Sequence, residues 1–221
     1  MNSLRFPAIA AGLIATAAAL TPPSAPAAER NADDDFANRM FAGSVPDPKA
    51  YACFVRRYDA AHLAQHPLQK VSVMKLLIST EKDPDFAELQ YAFRLGVNFR
   101  DRPGDFDSSG NCGHAPTVSD PADANVPPQD RVTLPAGIDF QCNVDCDGGG
   151  ISVGLANANN AAIVKLDHIR IWEGNRPDSE AAGALEAGAD DKVFRLDRTS
   201  VSDCAALVAD RKELAAMRRK R

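Results

Sequence analysis

The 221-residue chain has few aromatic side chains: ten Phe but only three Tyr and one Trp. So few rings with a polar edge leave little on which a sugar could stack, which makes carbohydrate recognition a weak expectation. Long apolar runs are missing as well. The longest, Ala8 to Leu20, is thirteen residues, short of the roughly 20 that a helix needs to cross a hydrocarbon core. An excess of positive charge is also lacking. Lys and Arg number 25 against 30 Asp and Glu, a net charge of −5, which argues against a nucleic-acid partner because phosphate binding needs a concentrated basic surface. The exception is the terminal MRRKR. Basic side chains there complement the dipole of a helix C-terminus.

The chain opens with Arg5, the apolar run, and then small residues up to Ala25-Pro26-Ala27-Ala28. This is the layout of a secretory signal peptide over residues 1–28. A periplasmic or secreted protein is therefore expected, with no transmembrane segment after cleavage. The remaining length suits one globular domain, 46–221, preceded by a mobile acidic arm, 29–45, that carries Asp33, Asp34 and Asp35.

Export gives the five cysteines, Cys53, Cys112, Cys142, Cys146 and Cys204, a reading as disulfide halves, since disulfides persist in oxidising compartments. In an extended strand, Cys142 and Cys146 would stand ~13 Å apart, too far for a mutual bridge. Each is expected to reach another segment: Cys112 with Cys142 or Cys146, and Cys204 with the remaining one or with Cys53.

Periodicity separates the segments. Helix formers and three-to-four spacing predict a helix over Lys49–Leu63, stopped by Pro67. From Tyr91 to Arg100 every odd residue is large and apolar, while Ala92, Arg94, Gly96 and Asn98 alternate with them. This is the period of a strand with one buried face. Val71–Ile78, Ile138–Asp145, Ile151–Leu155, Ala162–Leu166, His168–Trp172 and Lys192–Leu196 read as further strands, with Gly148-Gly149-Gly150 turning a hairpin. A helix over Ser202–Lys220 closes the chain. The fold class expected is mainly β: an antiparallel meander forming a small barrel or sandwich, flanked by an N-terminal and a C-terminal helix. Two long polar connections, 101–135 and 174–191, are the places where binding is expected.

Four patterns invite chemical readings. Gly150-Ile151-Ser152-Val153-Gly154 matches G-x-S-x-G, but a serine elbow needs a strand turning into a helix, and Ser152 lies inside an alternating strand. His168, beside Asp167, is the only histidine downstream of it. His62 and His66 fall at i, i+4 without the glutamate of a zinc-protease helix. Asn143-x-Asp145-x-Asp147-Gly148 and Asp105-x-Asp107-x-Ser109-Gly110 both open like calcium loops, yet their twelfth positions are Gly154 and Pro116. Tight turns explain both stretches without a metal. With no complete catalytic constellation, the expectation is a non-enzymatic envelope protein that binds a ligand or protein partner and needs no cofactor. The alternative is a calcium-binding or calcium-stabilised module in which Asp105 and Asp107 face Asp145 and Asp147.

Overall fold

The computed structural model describes residues 35–43, 49–82, 89–114, 140–145, 147–174, 176 and 183–219. The expected signal peptide, Cys146 and most of the 101–135 connection lie outside these residues. The described chain forms β1 (Lys49–Arg57), β2 (Val71–Lys82), β3 (Leu89–Phe99), β4 (Phe106–His114), β5 (Phe140–Asn143), β6 (Gly149–Ala156), β7 (Ala161–Glu173), β8 (Gly183–Glu186) and β9 (Val193–Thr199). β1 to β7 pair in sequence order, each antiparallel to the next, and β9 joins β7 to β1. The result is a closed, eight-stranded antiparallel barrel, so of the two arrangements expected the barrel is the one formed.

β8 and β9 occupy the same edge of β7. Gly183–Glu186 pair with Ile171–His168, and Val193–Asp197 pair with Lys165–Ala161. They are two halves of one barrel strand, interrupted by residues 187–192. The interruption is used: within it, Asp191 is fully buried and accepts backbone N–H bonds from Lys70 (2.7 Å) and Val71 (3.3 Å). These bonds fix the entry to β2.

An eight-stranded barrel is just wide enough inside for side chains to fill it. Phe54, Phe93, Phe106, Phe140 and Phe194 are all essentially inaccessible, with Met74, Leu76 and Leu95 between them. A second apolar cluster lies outside the wall, where Cys53, Val55 and Leu77 meet Cys204, Leu207 and Met217.

Three sequence expectations are corrected. Lys49–Arg57 is a strand, and only Ala60–Gln65 (α2) is helical. Ala50, Ala52 and Phe54 face the interior while Tyr51, Cys53 and Val55 face the outer cluster, and a strand buried on both faces loses the two-residue alternation that would reveal it. Part of the supposed mobile arm is built into the core. Residues 35–40 form a helix (α1), and Phe36, Ala37, Met40 and Phe41 are buried against the barrel. The C-terminal helix is broken in two. Val201–Leu207 is a 3₁₀ helix, whose three-residue period aims Val201, Cys204 and Leu207 at the wall. α3 (Arg211–Arg219) then restarts with Asp210 Oδ1 accepting the Glu213 N–H at 2.7 Å.

The glycine hairpin forms as expected, with Asn143 opposite Gly150. Gly149 has φ of +70°, and a Cβ there would sit 2.1 Å from the His168 carbonyl oxygen. No other residue fits that position.

Candidate functional site

The outer wall is where polar side chains and open space coincide. In register, Lys75 on β2 lies opposite Gly96 on β3, and Gly96 lies opposite Asp107 on β4. Because Met74 and Leu76 point into the core, Lys75 points outward. Gly96 contributes no side chain between Lys75 and Asp107, and the row has a notch. A Cβ on Gly96 would lie 2.6 Å from Leu207 Cδ2 and 3.6 Å from Asp107 Oδ1. The notch opens into a cleft of about 150 Å³ bordered by Lys75, Asn98, Asp105, Asp107, Gly174 and Leu207. Asn98 Nδ2 donates to Asp105 Oδ1 at 2.7 Å and to the Gly104 carbonyl at 3.0 Å, which fixes the rim.

Sequence reasoning named Asp105 and Asp107 but missed Lys75, Gly96 and Asn98. The available signal was Gly96, a missing side chain at an outward position of the clearest alternating strand.

The C-terminal segment forms one wall of the cleft and is secured twice. Cys204 is bonded to Cys53. Beyond it, Glu213 accepts from Arg94 Nη1 (3.2 Å) and Nη2 (2.9 Å), pairs with Lys49 at 3.3 Å and accepts from the Tyr51 hydroxyl at 3.3 Å. Burial alone would push the Glu213 carboxyl up, but Arg94 and Lys49 together outweigh it and hold the group below the usual carboxylate range. Burial, reinforced by the Glu213 charge, raises the Tyr51 hydroxyl, keeping it a neutral donor.

A depressed folded-state pKa adds stability that is complete above the ordinary carboxylate pKa and is lost as pH falls through the depressed value. Glu213→Gln is therefore expected to cost about 2 kcal/mol at neutral pH, the scale of hydrogen bonds to a charged group. The gap in melting temperature between wild type and variant should close in acid. A gap that persists at full size in acid would count against the ion pairs of Glu213 as its cause.

The other candidates lie apart from this cleft. Ser152 is opposite Gln141 and Lys165 within the sheet, whereas His168 is opposite Gly150 and shares a 2.6 Å hydrogen bond with exposed Glu186. No elbow forms at Ser152. His62 and His66 do share a face, but their rings stack at 4.3 Å, His62 also stacks on Tyr58, and its Nε2 lies 3.0 Å from Gln69 Oε1. His114 meets the edge of Phe36 at the opposite end of the barrel. Asp145 and Asp147 belong to the β5–β6 turn, where Asp147 takes φ of +58°. Among the described residues no three His, Cys, Asp or Glu side chains gather closely enough to hold a metal ion.

Cys112 and Cys142 face each other across β4 and β5 and are bonded. Both disulfides are among the pairings the sequence allowed. No described helix is long and apolar enough to cross a membrane. Comparison with protein-family models, with curated proteins and with solved structures finds no match.

Proposed function

We propose that this chain is an exported, disulfide-stabilised and non-enzymatic binding protein of the cell envelope, acting in the periplasm or outside the cell. Its ligand or partner sits in the outer-wall cleft. One observation carries the reading: both connections that the sequence marks for binding reach this cleft, the first through Asp105 and Asp107 and the second through Gly174. The barrel interior, filled by Phe and aliphatic side chains, leaves the outer face as the place to bind.

The test is amide chemical-shift mapping of the full exported chain against a panel of small cations, anions and zwitterions. Shifts are expected to concentrate on residues 96–98, 105–107 and 174. A panel whose effects fall elsewhere on the barrel would remove the cleft from the proposal.

Calcium is the second reading of the same place, favoured by two carboxylates on one rim. A ligand that binds only the native state adds ~2.7 kcal/mol at a hundred times its dissociation constant. Melting with millimolar calcium and with chelator decides this arm: an unchanged midpoint sinks it, with the binding-protein reading intact.

A further inference from the structure

Among the described residues only two large apolar side chains are exposed, Leu68 (62%) and Val193 (59%). They stand on the same flank of the barrel, because both adjoin the stretch that separates β8 from β9. The Leu68 N–H donates to Asp190 Oδ2 at 3.2 Å, and the Lys70 N–H donates to Asp191 Oδ2 at 2.7 Å. Val193, two residues beyond Asp191, opens β9, and its alternation with buried Phe194 turns it outward.

Cations surround the pair. Val193 lies opposite Lys165 on β7, and Lys192 precedes it in the chain. Lys70 follows Leu68 by two residues. On β1, outward-facing Val55 lies opposite Asp197, so exposed Arg57, two residues further on, comes level with Arg195. The side chains of Arg57, Lys70, Lys165 and Lys192 make no hydrogen bond or ion pair among the described residues. The carboxylates nearby are turned to other donors. Asp59 caps α2, Asp190 and Asp191 accept backbone N–H groups, and Asp197 pairs with Arg56 at 3.3 Å and Arg195 at 3.8 Å. Four uncommitted cations thus gather on one flank of a chain whose net charge is −5.

We propose that this flank docks on an anionic lipid surface, with Leu68 and Val193 entering the headgroup layer and the four cations meeting its phosphates. Charge complementarity carries the assignment. The acidic remainder of the chain is repelled by such a surface, so approach is productive only from this side. The cations come from two strands and two connections, an arrangement that a headgroup layer of repeating, laterally mobile charges can satisfy without a fixed register. Two aliphatic side chains offer little to a protein interface, whose energy concentrates in aromatic and Arg anchors. At a membrane boundary their burial adds to the electrostatic attraction. None of these residues borders the cleft, so the docking surface stands whether or not the cleft holds a ligand.

Flotation of the exported chain with two kinds of vesicle tests this: equimolar phosphatidylglycerol and phosphatidylcholine, and phosphatidylcholine alone. Binding should be at least ~10-fold tighter on the anionic vesicles and should weaken with salt, which screens surface charge. Lys165→Gln with Lys192→Gln should lose about 25-fold, at about 5-fold for each basic side chain near such a surface. Arg57→Gln replaces Lys165→Gln in that arm should the half-buried position fold poorly. Leu68→Ser with Val193→Ser should lose about 10-fold by withdrawing two side chains from the apolar boundary, with the salt dependence unchanged.

Equal binding to both kinds of vesicle, or binding to neither, overturns the proposal. So does an equal loss from Arg218→Gln with Arg219→Gln, which removes the same charge from α3, because binding would then follow net charge alone. A polyglutamate peptide that shifts the amides of this flank when anionic vesicles do not would assign it to an acidic protein instead.

Discussion

Replacing Cys53 and Cys204 together with serine is expected to cost about 5 kcal/mol, the chain-entropy value for a loop as long as the one they close. The bond spans 151 residues, against 30 for Cys112–Cys142. The second pair, removed in the same way, should cost nearer to 3.5 kcal/mol on the same scale. Either loss is a large fraction of the ~5 to 15 kcal/mol that keeps a domain folded. The difference between them has a structural side. Cys112 and Cys142 stand opposite each other on adjacent strands that the sheet already pairs, whereas the Cys204 bond anchors a 3₁₀ helix that contributes no strand to the barrel. Removing it should also loosen Leu207 and Met217, which pack against Val55 and Leu77. Denaturant midpoints of the two double variants test the ranking. A larger loss from the Cys112–Cys142 pair would mean that the C-terminal segment is held by packing alone.

The expected strands that survive best are those with one buried face. Tyr91 to Phe99 and Ile151 to Leu155 alternate because their large apolar side chains face the barrel interior while small or polar ones face outward, and the structure pairs both segments as strands. β1 was read as a helix because the C-terminal segment buries its second face, and nothing in Lys49–Arg57 announces a partner about 150 residues away. β4 was hidden differently. Its Asp-Ser-Ser-Gly-Asn-Cys-Gly composition reads as a turn, and Asp107 and Ser108 are buried polar residues in a strand. Ser108 is satisfied by donating to the Arg170 carbonyl at 2.7 Å, a contact between distant segments. The cleft shares this limit. Asp105 and Asp107 could be picked out by type, but their placement beside Lys75 depends on strand register, which no single segment contains.

Phe36→Ala is expected to destabilise the protein by about 3 to 5 kcal/mol, the range for emptying a buried aromatic position. Phe36 lies at the barrel end, stacked on Phe140 with ring centroids 4.1 Å apart and planes within 10°, and it meets Tyr91 edge-on at 6.0 Å. α1 is too short to be stable on its own, so its helicity depends on this packing and on its tether. The tether is Arg198. Its guanidinium donates to the carbonyls of Met40 (2.8 Å), Arg39 (3.3 Å) and Asn159 (2.7 Å), and it lies 4.6 Å from the centre of the Phe54 ring. Burial lowers the Arg198 pKa, and the three carbonyls compensate for water lost from the cation. One side chain therefore joins β9, the β6–β7 turn and the end of α1. Arg198→Met should cost about 2 kcal/mol by the scale of hydrogen bonds to charged groups. The double variant should cost less than the sum, because either change alone already frees α1. Full additivity would show that Arg198 and Phe36 act independently. A Phe36→Ala cost within about 0.5 kcal/mol, the range of an ordinary surface change, would return residues 35–41 to the status of an arm that the barrel does not need.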